Sequence, residues 1–298
     1  MTYCVGLCLK DGLVFLSDTR TNAGVDQIGT FRKMTIFQEK DRFFALMSAG
    51  NLAITQAVKE ILLQGQILGG KNLWTAENTH DAATVIGDAI KQVYDRDHKA
   101  LEKAGIDFNC NLIFGGQVKG ERPRLFNIYS AGNFIEATPE TCYFQIGESK
   151  YGKPILDRVL NFNTPLNLAT KCALISMDST LNSNISVGLP LDLLVYEKNS
   201  LRADKLVTID ESNPYFQMIH QLWGEKLRAA FNSISEPSWS GANKSSAISS
   251  PAKKMGAVPV NRQPSKVKAK IKTALTPTKK PMKPTNTNTN TKTKAKAK

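Results

Sequence analysis

Histidine is scarce in this chain, with three in 298 residues, and the five cysteines form no C-x-x-C pair. Cys4, Cys8, Cys110, Cys142 and Cys172 also miss every zinc-ligand spacing, so neither a metal site nor a disulfide framework is readable here. Such thiols suit small buried core residues in a reducing compartment, with Cys4 and Cys8 on one face of a strand. No apolar run approaches the roughly 18 residues that would span a bilayer. No secretory leader is expected either, because Lys10 and Asp11 interrupt the apolar start. These absences predict a soluble, cytoplasmic protein that needs no metal and no cofactor and meets no membrane. His80 and His98 fall near a predicted helix, lack companions at metal spacing, and receive no function.

Acidic residues are missing altogether from one segment. Residues 237–298 hold fifteen of the 39 Lys and Arg and none of the 26 Asp and Glu, which leaves 24 basic against 26 acidic residues before Pro237. The formal charge of +13 therefore belongs to the last sixty or so residues and says nothing about the fold. That segment is Pro, Ala, Ser, Thr, Asn and Lys, with almost no large apolar side chain to offset the cost of ordering it. Residues 237–298 are expected to be a disordered tail after a globular part of residues 1–236. Such a tail either binds nucleic acid or another polyanion through counterion release, or serves only as a solubilising appendage.

What the globular part does have is concentrated in its first 33 residues. Removal of Met1 would expose Thr2 as the first residue. Tyr3, Val5, Leu7 and Leu9 alternate with Thr2, Cys4, Gly6 and Cys8, the period of a strand. Asp11-Gly12 is a hairpin turn, and residues 13–17 return beside the first strand. Asp18 and Arg20 then arrive level with Thr2. A threonine hydroxyl is a poor nucleophile until a base takes its proton, and the amine of an N-terminal threonine can be that base. Such an amine titrates near ~7.7–8.0, so roughly a tenth or more is neutral at pH 7. A nearby ammonium lowers that value further; Lys33 is the candidate, with Asp18 holding it in place.

Further along, residues 34–38 and 43–48 read as a second hairpin, and Asn51 can cap a helix running to about residue 64. Residues 65–79 carry no clear period and read as a loop. A long helix is predicted over residues 81–103, with Gly105 ending it. Strands follow over 110–118, 125–130, 134–137 and 143–147, then helices over 150–160 and 165–181. The longest strand candidate, residues 185–198, contains Pro190, which suggests an edge or a bulge. A strand over 201–209 returns beside it, and a last helix starts at Asn213-Pro214 and runs to about residue 234.

Thr2, Ser17-Asp18-Thr19-Arg20, Lys33 and Ser48-Ala49-Gly50-Asn51 together resemble the proteasome β-subunit group of N-terminal-nucleophile hydrolases. More narrowly they resemble its bacterial proteasome-like branch, the Anbu peptidases, over about residues 1–235. Thr2 and Asp18 keep the family spacing of sixteen, while Lys33 comes one residue earlier than in common β subunits. The resemblance implies a four-layer αββα sandwich, with two sheets face to face between helical layers. It implies that the Gly50 amide forms the oxyanion hole and that Ser130 reaches the N-terminal amine. It also implies that Asp178 supports the nucleophile; the serine usual three residues later is Leu181 here, so Ser179, Thr180 or Ser183 would substitute. The implied activity is a threonine-type peptidase acting on peptides or proteins within a homo-oligomeric ring or spiral. The alternatives are a small-amide amidohydrolase of the same nucleophile class and a non-catalytic assembly protein with a nucleic-acid-binding tail.

Overall fold

In the computed structural model, residues 2–22, 28–65, 67 and 69–237 are described. Met1–Pro237 form one compact unit and Ser238–Lys298 separate from it. The expected disorder of the tail and the expected loss of Met1 both lie outside the described residues.

The chain opens with a hairpin of β1 (Tyr3–Leu9) and β2 (Gly12–Asp18), paired from Cys4 with Ser17 to Leu9 with Gly12. Gly12 sits at φ 151°, where a Cβ would stand 2.0 Å from the Tyr196 carbonyl oxygen, so only glycine closes this turn. A short ribbon follows, β3 (Arg20–Asn22) and β4 (Ile28–Thr30). Next come β5 (Met34–Gln38) and β6 (Arg42–Gly50), then α1 (Leu52–Gln64), whose first turn Asn51 caps through a bond from the Ala53 N–H. The long α2 (Thr79–Lys103) is capped by Asn78. After it run β7 (Cys110–Val118), β8 (Arg124–Ile128), β9 (Phe134–Glu136), β10 (Tyr143–Gly147), α3 (Lys153–Val159), α4 (Leu166–Ser183), β11 (Leu191–Glu197), β12 (Lys205–Ile209) and α5 (Pro214–Asn232).

Every strand pairing is antiparallel. One five-stranded sheet has the order β10-β1-β2-β11-β12, the other β5-β6-β7-β8-β9, and β3-β4 stand apart as a two-stranded sheet. Three apolar clusters hold the unit together. Phe37, Phe44, Phe114 and Phe126 pack with Val58, Ile86 and Ile90 of α1 and α2. Val5, Leu7, Val14 and Leu16 pack with Cys172, Ala173 and Met177 of α4 and Phe216 of α5. Between the five-stranded sheets, Cys4, Cys8 and Phe15 meet Phe43, Met47 and Ile113. The sequence reads β1 as an alternating strand, and all seven of its residues are buried because both faces are covered. All five cysteines are buried free thiols.

The four-layer αββα sandwich implied by the resemblance needs correction. The described residues form three antiparallel sheets with five helices, not two sheets between matched helical layers. Part of the cause is local: Arg20–Asn22 and Ile28–Thr30, for which no strand is expected, pair with each other outside both larger sheets. The strand expected from residue 185 begins only at Leu191, after Pro190, which has no N–H to give a ladder. Among the described residues no helix is long and apolar enough to cross a membrane.

Candidate active site

The antiparallel return of β2 brings Asp18, its last residue, to the first residues of β1. Asp18 Oδ1 accepts from the Tyr3 N–H at 3.0 Å and from Lys33 Nζ at 2.8 Å. Lys33 Nζ donates also to the Arg20 carbonyl at 2.5 Å. Both partners are sequestered, Asp18 at 0% and Lys33 at 7% exposure. Burial pushes the Asp18 carboxyl above its ordinary range; the Lys33 ammonium and the Tyr3 and Gly188 N–H groups pull the other way. Lys33 is carried by the segment entering β5, and its carbonyl accepts from the Ser48 N–H at 3.1 Å, which ties it to the end of β6.

Two residues beyond Ser48, Gly50 closes β6 at φ 118° opposite Cys110. A Cβ there would lie 2.4 Å from the Asn109 carbonyl oxygen. A cavity of about 160 Å³ opens between Lys33, Ser48, Leu52 and Thr55. Thr2 is half-buried at the head of β1, where its carbonyl accepts from the Glu148 N–H at 2.7 Å.

Thr2, Asp18, Lys33 and Gly50 thus gather at the adjoining ends of β1, β2 and β6, while Ser130 bonds Cys110, the β7 partner of Gly50, and Asp178 lies on α4. Ser130 Oγ pairs in both directions with the Cys110 main chain at 3.0 Å and lines a cavity with Lys91, Tyr94 and Phe108. Asp178, 2% exposed on α4, lies 2.7 Å from His220 Nδ1 of α5. That pair lines a cavity of about 610 Å³ which also meets Arg20, Gly188 and Phe216. Of the possible substitutes, Thr180 donates its hydroxyl to the Ser176 carbonyl in its own helix.

Arg20 connects the two places. Its main chain holds Lys33, while its guanidinium donates to the Ile185 carbonyl at 3.1 Å and lies so close to Gly188 that a Cβ there would stand 2.1 Å from Nε.

Three polar neighbours escape sequence reasoning. Tyr3 hydroxyl bonds Ser176 Oγ at 2.6 Å and accepts from Gln145 Nε2 at 2.7 Å, and burial raises its pKa far above the usual phenol value. Glu148 stands directly after β10, 7% exposed, with its N–H on the Thr2 carbonyl. Asn184, past the end of α4, donates to its carboxylate. Only the non-local pairing of β10 with β1 reveals them. Among the described residues no group of three or more His, Cys, Asp or Glu is arranged to hold a metal ion.

No family model and no curated relative matches the chain. Among solved structures it is similar to a Gly-1 mutant of Anbu from Hyphomicrobium sp. strain MC1, at 47% identity and TM-score 0.75, covering 80% of this chain and 100% of that one. Anbu (ancestral beta-subunit) from Yersinia bercovieri is 50% identical, covering 80% and 99%, with a TM-score of 0.74. The helical assembly of the Anbu complex from Pseudomonas aeruginosa is 44% identical, covering 80% and 100%, with a TM-score of 0.76. Matches of this identity and coverage, together with the Asp18–Lys33 pair at the head of β1, define the class as a proteasome-like β subunit. Within that class, the chain belongs to the Anbu family.

Proposed function

We propose that the protein is a threonine-type peptidase whose nucleophile is Thr2, freed by removal of Met1. One observation carries this reading: a buried ammonium, Lys33 Nζ, shares Asp18 Oδ1 with the N–H of the residue that follows Thr2. A lysine there favours the neutral form of a free Thr2 amine through like-charge repulsion, and Asp18 keeps that lysine charged. The amine takes the proton from Thr2 Oγ as Oγ bonds to the peptide carbonyl carbon. The Gly50 amide steadies the oxyanion, a contribution of several kcal/mol in comparable acyl transfers. The C–N bond then breaks, the leaving amine receives the proton, and water hydrolyses the ester.

Ser130 supports this indirectly, by fixing the start of β7, against which Gly50 is paired. Asp178 faces the cavity that Arg20 borders and so acts at one remove from Lys33. The buried free thiols accord with a reducing cytoplasm. Oligomerisation follows the helical assembly of the Pseudomonas aeruginosa relative. The outer half of α5 offers exposed Leu222, Leu227 and Phe231 for self-contact.

A second reading, an amidohydrolase of small amides, is favoured by the 160 Å³ cavity beside Lys33, below the ~300–1,000 Å³ usual for larger ligands. A panel of peptides and small amides separates the two. Thr2→Ala is expected to abolish turnover and labelling by a hydroxyl-directed covalent inhibitor; unchanged turnover would refute the mechanism. Intact mass should lack Met1, since a retained methionine leaves no amine base and points to an assembly role.

A further inference from the structure

Glu148 has no part in the mechanism as derived, yet it is a buried carboxylate beside the proposed nucleophile. The β1–β10 ladder ends with Tyr3 opposite Gly147, and just beyond it the Glu148 N–H meets the Thr2 carbonyl at 2.7 Å. Gly147, at φ 80°, permits the approach, since a Cβ there would stand 1.9 Å from the Thr2 carbonyl oxygen. The carboxylate is held at both ends: Asn184 Nδ2 donates to Oε2 at 2.9 Å, and Lys150 Nζ lies 3.5 Å from Oε1. Asn184 is itself fixed, its Oδ1 accepting from the Ser186 N–H at 2.9 Å.

We infer that Glu148 is the positioning residue for the Thr2 amine, orienting it toward Oγ and stabilising the ammonium that forms when it takes the hydroxyl proton. The inference rests on the threonine-nucleophile reading and adds to it the counter-charge which that reading lacks. The charged and titratable groups on the segments that meet at this end of β1 are Cys4 on β1, Asp18 at the end of β2, Arg20 on β3, Lys33 before β5, and Glu148 and Lys150 after β10. Asp18 Oδ1 is shared by Lys33 and the Tyr3 N–H, and Glu148 is the other buried carboxylate whose main chain meets Thr2. A Ser-His-Asp site uses its aspartate in the same sense, to support the cation formed on its base.

The test uses full-length, Met1-free protein in three forms: native, Glu148→Gln and Asn184→Ala. The rate at which Thr2 is acylated by a small amine-directed anhydride is followed against pH by mass spectrometry of the N-terminal peptide. An opposite charge within ~4–6 Å shifts a pKa by about one unit or more, so Glu148→Gln should raise labelling at pH 7 several-fold, up to about tenfold. The acid limb of the kcat/KM profile should move to lower pH and kcat should fall about tenfold with KM little changed. Asn184→Ala, which keeps the charge but frees it, should give a smaller shift in the same direction. Identical labelling and pH profiles in all three proteins would overturn the inference. If instead Thr2→Ala retains turnover while the labelling shift persists, the peptidase reading fails and the assignment of Glu148 to the amine stands.

Discussion

At the scale of single residues, the buried Asp18–Lys33 pair bears on stability and on the proposed chemistry alike. Removing one member of a buried pair strands the other, at about 3–5 kcal/mol. Lys33→Met should therefore lower the unfolding free energy by about that amount in a urea titration, and turnover should vanish with it. Asp18→Asn should cost less, because burial alone already disfavours the charged carboxylate. Its pH signature is specific. A carboxyl whose folded pKa lies above its unfolded value binds more protons when folded, so its contribution to stability is full below the unfolded value, near ~3.9. That contribution declines as pH rises through the folded value. The gap in unfolding free energy between native protein and Asp18→Asn should narrow across that window as pH rises; a gap that widens would reverse the sign.

Among elements, the end of β6 carries the next prediction. Gly50→Ala forces a Cβ toward the Asn109 carbonyl at a φ of 118°. Such strain costs about 1–3 kcal/mol, and the displaced amide should depress kcat more than it raises KM. Elements encoded locally were legible in the sequence: the Asp11-Gly12 hairpin, the apolar stripe of α2 and the Asn213-Pro214 start of α5 all stand where their residues point. The grouping of Thr2, Asp18, Lys33 and Gly50 was legible for the same reason, since hairpins and short connections join them.

What sequence did not reveal depends on pairings between distant segments. Tyr143 lies opposite Leu7, and the Glu148 N–H meets the Thr2 carbonyl, across more than a hundred intervening residues, and no local period encodes such a match. The β3–β4 ribbon failed for another reason, because three-residue strands are too short to show alternation. The contact of Asp178 on α4 with His220 on α5 likewise joins segments far apart in the chain.

For the whole molecule, the charge division marks two segments that can be tested apart. Residues 237–298 carry the basic excess, so deleting them should abolish salt-sensitive retention on DNA while leaving Thr2-dependent turnover intact. Equal retention by both forms would leave the segment as a solubiliser. In sedimentation, replacing Phe231, 77% exposed on α5, with Glu should shift any assembly toward smaller species. An unchanged distribution would place self-contact on another face.

Threading β1 between β2 and β10 also sets an order of events during synthesis. The ribosome releases Tyr3–Leu9 long before Tyr143–Gly147, at about 5–20 residues per second, so the first strand waits many seconds for its second neighbour. An aminopeptidase has that interval to trim a loose end. On the proposed mechanism, loss of Met1 would then precede the enclosure of Thr2.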